Sequence, residues 1–280
     1  LLDLGGSIKK EHFDIAIDFS LDHRYAVFCL LLGIRRRVGY DFKKRGCFLS
    51  ERIPFSGYKD KHVVEYYLDL LKILGIDSKG KHMELYTGQQ AEIWADDFLE
   101  SHNIKKSDLT IGVAPAGGLS WGKNAYLKYW PKENFAEVSD RLIEDVEAKV
   151  VFLGDENDTV WINEIVSLMR NKAVNASGCT SLGSLAALIS KCNLLIANDG
   201  GPLHMATALG VKSVSLFGPT DEKVYGPYPE SDKHIVISGR VTCRPCYNNF
   251  RIKECARENR CLREIEVDEV YSAVLRLLDR

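Results

Sequence analysis

The sequence predicts an α/β fold built on parallel sheets. Three observations carry that expectation. Apolar runs of strand length alternate with amphipathic helical stretches along the 280 residues, several helices close on glycine, as at Gly33, Gly75 and Gly210, and the stretch Asn193 to Thr220 holds a complete strand–turn–helix–strand unit. Strands that alternate with helices pair in parallel. In that stretch the apolar run Asn193 to Asn198 breaks into Asp199-Gly200-Gly201-Pro202. Proline is pre-set for a first helical turn, and Leu203, Met205, Ala206, Ala208 and Leu209 supply an apolar helical face. Val211 to Phe217 reads as the next buried strand, and Gly218-Pro219-Thr220 as the turn after it. The glycines admit a ligand to the backbone, and the unpaired N–H groups of the helix's first turn carry partial positive charge. Such a turn suits a phosphate or diphosphate, with Asp199 as acceptor for sugar hydroxyls and His204 as donor. The same geometry occurs throughout α/β domains, so by itself it leaves the ligand open.

The chain in order fills in the remaining units. Phe13 to Phe19 alternates as a strand, and Leu21 to Leu32 follows as an apolar helix. The segment from Gly33 to Phe48 is expected to be a glycine-punctuated loop crowded with Arg35, Arg36, Arg37, Lys43, Lys44 and Arg45. A run of this kind is most often a solvated surface; the alternative is a lip for anions, since guanidinium forks match phosphate oxygens in pairs. His62 to Leu74 and Gln89 to His102 have helical apolar spacing, and the polar segment Asn103 to Asp108 is the expected domain boundary.

Leu109 to Pro115 opens a second domain as a strand and empties into a glycine-rich loop, which is either a phosphate cradle or a mobile turn. Pro131 to Glu147 reads as a helix and Lys149 to Gly154 as a buried strand. Asp155 and Glu156 then stand at a strand's carboxyl end, where α/β domains bind ligands, although helix N-terminal charge is the commoner use of such residues. Lys172 to Ala176 is a further strand, Leu182 to Ser190 a helix, His234 to Ile237 a short strand, and Glu266 to Leu278 an amphipathic helix. Near the end come Cys243-x2-Cys246-x8-Cys255-x5-Cys261. Four thiols with an opening C-x2-C can hold zinc tetrahedrally, but the second pair is loosely spaced, and a structural loop with free thiols is the preferred reading.

Composition narrows the class. A hydrophobic fraction of 45% with 27% charged residues describes a core-forming chain, and a net charge of −2 argues against a general nucleic-acid binder. No apolar window reaches the roughly 20 residues of a membrane span. The eight cysteines without a secretory leader favour a reducing compartment, hence a cytoplasmic location.

Asp199-Gly200-Gly201-Pro202-Leu203-His204, the alanine-rich helix after it, Phe217-Gly218-Pro219-Thr220 and Lys128-Tyr129-Trp130-Pro131 together resemble glycosyltransferase family 9, the heptosyltransferases. The resemblance runs in patches over nearly the whole chain. It implies the GT-B fold, two Rossmann-like domains facing a cleft, with the acceptor on an incomplete first domain at 1–105 and the nucleotide sugar on a second at 106–265. The terminal helix, 266–280, is expected to pack back towards the first domain. Implied chemistry is inverting transfer of a heptose from ADP-heptose to a lipopolysaccharide inner-core acceptor, without metal or other cofactor, with peripheral contact at the inner membrane. Lys128 matches the lysine that contacts the donor phosphate, and with Asp199 it forms the expected catalytic pair. Asp155 or Glu156 corresponds to an acidic residue at the ribose, Thr180 and Ser181 to the turn beside the base, and Gly200, Gly201 and His204 to the diphosphate seat. Arg35, Arg36 and Arg37 are placed as the acceptor's anion lip, and Trp130 and Pro131 as packing and helix-starting residues. Leu119 to Leu127 departs from the family as an insertion, which leaves Ala116, Gly117, Gly118 and Ser120 without assigned roles. The family's N-terminal strand and Gly-Asp loop, source of the usual general base, have no counterpart ahead of Phe13. Neither Asp18 nor Asp22 matches that motif. A silent nucleotide-sugar-binding remnant, a member using another nucleotide sugar and, more distantly, an epimerase of the same fold are the alternatives.

Overall fold

The protein is described from a computed structural model covering residues 2–78, 81–117, 119–248, 250–252 and 254–279, with the side chains of Leu2, Asp3, Leu119 and Ser120 undescribed; Gly118 lies outside the described residues. Two compact units divide the chain, Leu1–Lys81 and His82–Arg280.

The first unit runs α1 (Leu2–Lys10), β1 (Ile15–Asp18), α2 (His23–Leu31), β2 (Arg36–Phe42), β3 (Glu51–Phe55) and α3 (Val63–Ile73). Its three strands pair in parallel in the order β1-β2-β3. The loop expected from Gly33 to Phe48 is therefore corrected, because its middle is the central strand. Val38, Tyr40 and Phe42 alternate inward and are buried, and this period of two was masked by the six cations around it. Val38 and Tyr40 pack with Tyr66 and Leu70 of α3, and the Tyr40 hydroxyl donates to the Tyr66 carbonyl at 2.6 Å.

The second unit begins with α4 (Gln89–Ser101) and β4 (Thr110–Ala114) and continues through α5 (Lys132–Val146), β5 (Lys149–Phe152), α6 (Thr159–Leu168), β6 (Val174–Asn175), α7 (Leu182–Ser190) and β7 (Leu194–Asn198). It ends with α8 (Gly201–Ala208), β8 (Lys212–Phe217), α9 (Glu222–Tyr225), β9 (His234–Ser238), α10 (Arg260–Arg263) and α11 (Val267–Leu277). All six strands are parallel, in the order β6-β5-β4-β7-β8-β9. The chain steps outward from β4 to β6, returns to β7 beside β4, and steps outward the other way. This doubly wound order opens a crevice between the carboxyl ends of β4 and β7, where the winding reverses.

Alternation along the strands feeds two cores. Leu194 and Ile196 meet Trp130, Phe135, Ile162 and Val270 on one face; Leu195 and Ala197 meet Ala95, Leu188 and Leu203 on the other. Continuous apolar strands are what a sheet covered on both faces requires. Pro131 caps the start of α5, and the Trp130 indole N–H donates to the Ile265 carbonyl at 3.0 Å, so these two residues do pack and begin a helix.

Two expected boundaries move. The division falls at Lys81/His82 rather than between 105 and 106, because Ala95, Leu99 and Ile104 are buried with Ala187 and Leu188 in the second unit's core. The terminal helix α11 buries Val270, Ala273, Val274 and Leu277 in that same unit, where Tyr271 donates to Asp145 of α5 at 2.8 Å. Its apolar face is thus buried within the second unit.

Removing a buried aliphatic side chain such as Leu99 or Ile104 from this core costs about 1.5–3 kcal/mol. A fragment of residues 82–280 is therefore expected to unfold cooperatively in urea, with a clearly higher midpoint than one of residues 106–280; equal midpoints contradict the assignment of α4 to the second unit.

Candidate functional site

The crevice between β4 and β7 is built from backbone exits that the sequence fixes locally. Asn198 ends β7, and its side-chain amide donates to the Pro115 carbonyl after β4, tying the two exits together. Asp199 follows, buried, with its N–H on the Leu216 carbonyl of β8 at 3.1 Å. Gly200 caps α8, Pro202 lies in its first turn, and a Cβ on Gly201 would meet nothing within 4 Å. Open space over the first N–H groups of α8 is what an anion seat needs.

Lys128 reaches this point from the loop after β4. Its ammonium lies 2.8 Å from the Asp199 carboxylate and 3.1 Å from the Asp199 carbonyl oxygen, and both side chains are almost wholly buried. Thr220, from the turn after β8, donates to the same carboxylate at 2.6 Å. The approach depends on a glycine. A Cβ at Gly117 would stand 2.7 Å from the Ala125 carbonyl oxygen and 2.9 Å from Lys128 Cβ, so only a bare backbone lets the loop fold beneath the lysine. Expected partners Lys128 and Asp199 are therefore brought together, bonded to each other.

The indole of Trp121 lies 4.3 Å from the Lys128 ammonium, a cation–π contact, and the Tyr247 ring sits 4.9 Å from that indole. Sequence reasoning missed both aromatics. Trp121 lies in the insertion and Tyr247 in the cysteine segment, and nothing local announces that residues so far apart in the chain meet. Tyr247 is delivered by backbone bonds: the N–H groups of Cys246 and Tyr247 both donate to the Pro219 carbonyl at 3.0 Å. Arg244 ties the same segment to the Gly218 carbonyl at 2.6 Å and to Glu222 at 2.7 Å. Cys243, Cys246, Cys255 and Cys261 are free thiols, and among the described residues no group of three or more His, Cys, Asp or Glu side chains is arranged to hold a metal. Burial, with the charges of Cys246, Cys255 and Cys243 nearby, pushes the Cys261 thiol up to about 11. The segment's visible role is to place Tyr247.

The turns after β5 and β6 adjoin each other. A Cβ on Gly178, whose φ is +72°, would lie 3.5 Å from Glu156 Cα. Asp155 caps the turn at Glu156–Asp158, accepting from the Asn157 N–H at 2.7 Å, so its carboxylate is spent on the commoner use foreseen for it. Glu156 is exposed beside the 178 turn. Ser181 caps α7 through a reciprocal box with Ser184, at 2.8 and 3.2 Å, which leaves half-exposed Thr180 as the freer neighbour. His204 is half-buried on α8.

In the first unit two of the three arginines placed at the anion lip are engaged within the fold. Arg36 pairs with Glu51 through two bonds of 2.9 and 3.1 Å, and Arg37 donates to the carbonyls of Phe48 at 2.7 Å, Arg35 at 2.8 Å and Ile34 at 2.5 Å. Arg35 is exposed. All three stand at the amino end of β2, opposite the edge where parallel sheets present ligands. Lys43, Lys44 and Arg45 are exposed just past its carboxyl end. Asp18 accepts from Ser20 at 2.8 Å, and Asp22 caps α2, its carboxyl held down to about 2 by the hydrogen bonds and charge of Arg24. A group that acidic is a poor proton acceptor at neutral pH.

A model of "Glycosyltransferase family 9 (heptosyltransferase)" matches residues 1–256. The chain belongs to glycosyltransferase family 9. It is similar to lipooligosaccharide heptosyltransferase 2 of Campylobacter jejuni, 24% identical over 276 residues, covering 97% of this chain and 78% of that protein. Against lipooligosaccharide heptosyltransferase 2 of Haemophilus influenzae the identity is 33% over 245 residues, 83% of this chain and 67% of the relative. Among solved structures, a family 9 glycosyl transferase from Veillonella parvula aligns with a TM-score of 0.81 at 26% identity, covering 99% of this chain and 77% of that one. The Escherichia coli ADP-heptose lps heptosyltransferase II aligns at 0.78 and 23%, covering 99% and 80%. This family 9 glycosyltransferase accordingly has the GT-B fold. No helix among its described residues is long and apolar enough to cross a membrane.

Deleting one partner of a buried ion pair strands the other charge in low dielectric, at about 3–5 kcal/mol. Lys128→Met is expected to lower stability to urea by about that amount, and Lys128→Met combined with Asp199→Asn to recover more than half of the loss. Full additivity of the two substitutions contradicts the pairing.

Proposed function

We propose that this glycosyltransferase moves a heptose from ADP-heptose to an inner-core lipopolysaccharide acceptor, with inversion at the anomeric carbon. The observation that carries the reading is the buried Lys128–Asp199 pair beside the open first turn of α8. An ammonium has three donors, and two of them point at Asp199. The third, with the N–H groups that open α8, suits the oxygens of a diphosphate, and Glu156 with Thr180 suits the ribose and base side. Support for the sugar comes from the names of the relatives, which are lipooligosaccharide and lipopolysaccharide heptosyltransferases.

The reaction is a direct displacement. An acceptor hydroxyl attacks the anomeric carbon as the bond to the diphosphate oxygen breaks; ADP leaves with the electron pair, and a carboxylate base takes the hydroxyl proton. Lys128 and the start of α8 stabilise the charge that grows on the leaving group. Asp199 is already engaged by Lys128 and Thr220, and Asp22 by Arg24. Lys43, Lys44 and Arg45 are the cations offered to the acidic acceptor, at the cytoplasmic surface of the inner membrane and in peripheral contact with it.

Titration calorimetry with ADP, then with ADP-heptose, tests the donor. Binding of both, tighter for the sugar nucleotide and absent for an unrelated nucleotide such as CMP, is the expected result; ADP binding no better than CMP rejects the adenine donor. In a transfer assay the folded Lys128→Met/Asp199→Asn variant is expected to lose about 10²–10³ in kcat, as when one charge-stabilising donor is deleted elsewhere.

A further inference from the structure

Beyond the Lys128 ammonium a cavity of about 360 Å³ opens, lined by Trp121, Asn124, Tyr247, Phe250, Arg251 and Ile252. It falls within the size range of small-ligand sites. Its wall sets the rings of Trp121, Tyr247 and Phe250 beside the Asn124 amide and the Arg251 guanidinium, and exposes more polar than apolar surface. Aromatic rings set among hydrogen-bonding groups are the chemistry that holds a sugar ring, whose C–H faces are apolar and whose rim is hydroxyl.

Position gives the occupant. Along the carboxyl edge of the second unit's sheet, the turns after β5 and β6 carry Glu156 and Thr180, and the switch point between β4 and β7 carries Lys128 and Gly201. On the far side of that point, towards β8, the turn at Pro219 anchors Tyr247 against Trp121, and Trp121 touches Lys128. A nucleotide sugar whose base and ribose lie on the β5–β6 side and whose diphosphate lies at the switch point extends its sugar towards this cavity.

We infer that the cavity seats the pyranose of the nucleotide-sugar donor, with Asn124 and Arg251 reading its hydroxyls and the Trp121–Tyr247 pair walling its apolar face. The inference rests on the donor reading above and gives it a specificity site. Arg251 is exposed and brings only donors, whereas Asn124 brings both a donor and an acceptor. Tyr247 keeps its proton across the neutral range, because burial and the charge of Asp199 push its pKa upward.

Calorimetry of the full chain separates the parts. Arg251→Ala and Asn124→Ala are each expected to weaken ADP-heptose about tenfold, the scale of a lost hydrogen bond to substrate, while ADP itself stays within about twofold of wild type. Tyr247→Ala is expected to do the same, and Tyr247→Phe to restore most of the affinity. Wild-type affinity for ADP-heptose in the Arg251 and Asn124 variants overturns the subsite, as does an equal loss of ADP and ADP-heptose. Wild-type protein that binds neither ligand overturns the donor reading itself, a different result from either of these.

Discussion

The buried contact between the Lys128 ammonium and the Asp199 carboxylate is the constraint on which the second unit's site depends. It joins the loop after β4 to the turn after β7, the two sides of the crevice at which the winding of the sheet reverses. Taking two charges out of water is costly unless each is well bonded. Here the carboxylate also accepts from Thr220, and the ammonium also reaches a backbone carbonyl and an indole face. Lys128 and Trp121 come from the loop after β4, Asp199 from the end of β7 and Thr220 from the turn after β8, so the pair holds only when β4, β7 and β8 are all in register. The cost of burial is thereby turned into a fixed position for one positive charge beside the first turn of α8.

Small residues make that position reachable. Gly117 lets the loop pass under Lys128, and Gly201 leaves the helix start uncovered. At Gly218 a Cβ would lie 2.8 Å from a Leu262 methyl group, so the turn that carries Pro219 and Thr220 is also shaped by contact with α10. The cysteine segment then closes on this turn through Arg244, Cys246 and Tyr247. Its order comes from those bonds and from a buried Cys261, with free thiols throughout the described residues.

Much of the second unit was legible in the sequence. The helix and strand of the Asn193–Phe217 stretch lie within a residue of their predicted bounds, because strand, glycine turn and proline-started helix are local signals. Lys128 and Asp199 were singled out by motif resemblance, but their bond to each other was not legible, since it depends on the pairing of β4 with β7. The first unit was harder. Arg36 and Arg37 begin a buried strand, and their charges hid the alternation of Val38, Tyr40 and Phe42. Helix α4 was assigned to the wrong unit because its polarity suits a surface helix on either; only the packing of Ala95 and Leu99 decides. Trp121 and Tyr247 meet across more than a hundred residues, beyond the reach of any periodicity.

A crystal structure of the chain with ADP bound is the most direct test. The diphosphate should sit with one oxygen within hydrogen-bonding distance, roughly 2.7–3.2 Å, of the Lys128 ammonium and another on the N–H groups that open α8, the adenosine running towards Glu156 and Thr180. A diphosphate bound away from α8, with the Lys128–Asp199 contact untouched and remote from it, would contradict the reading of this crevice as the donor site.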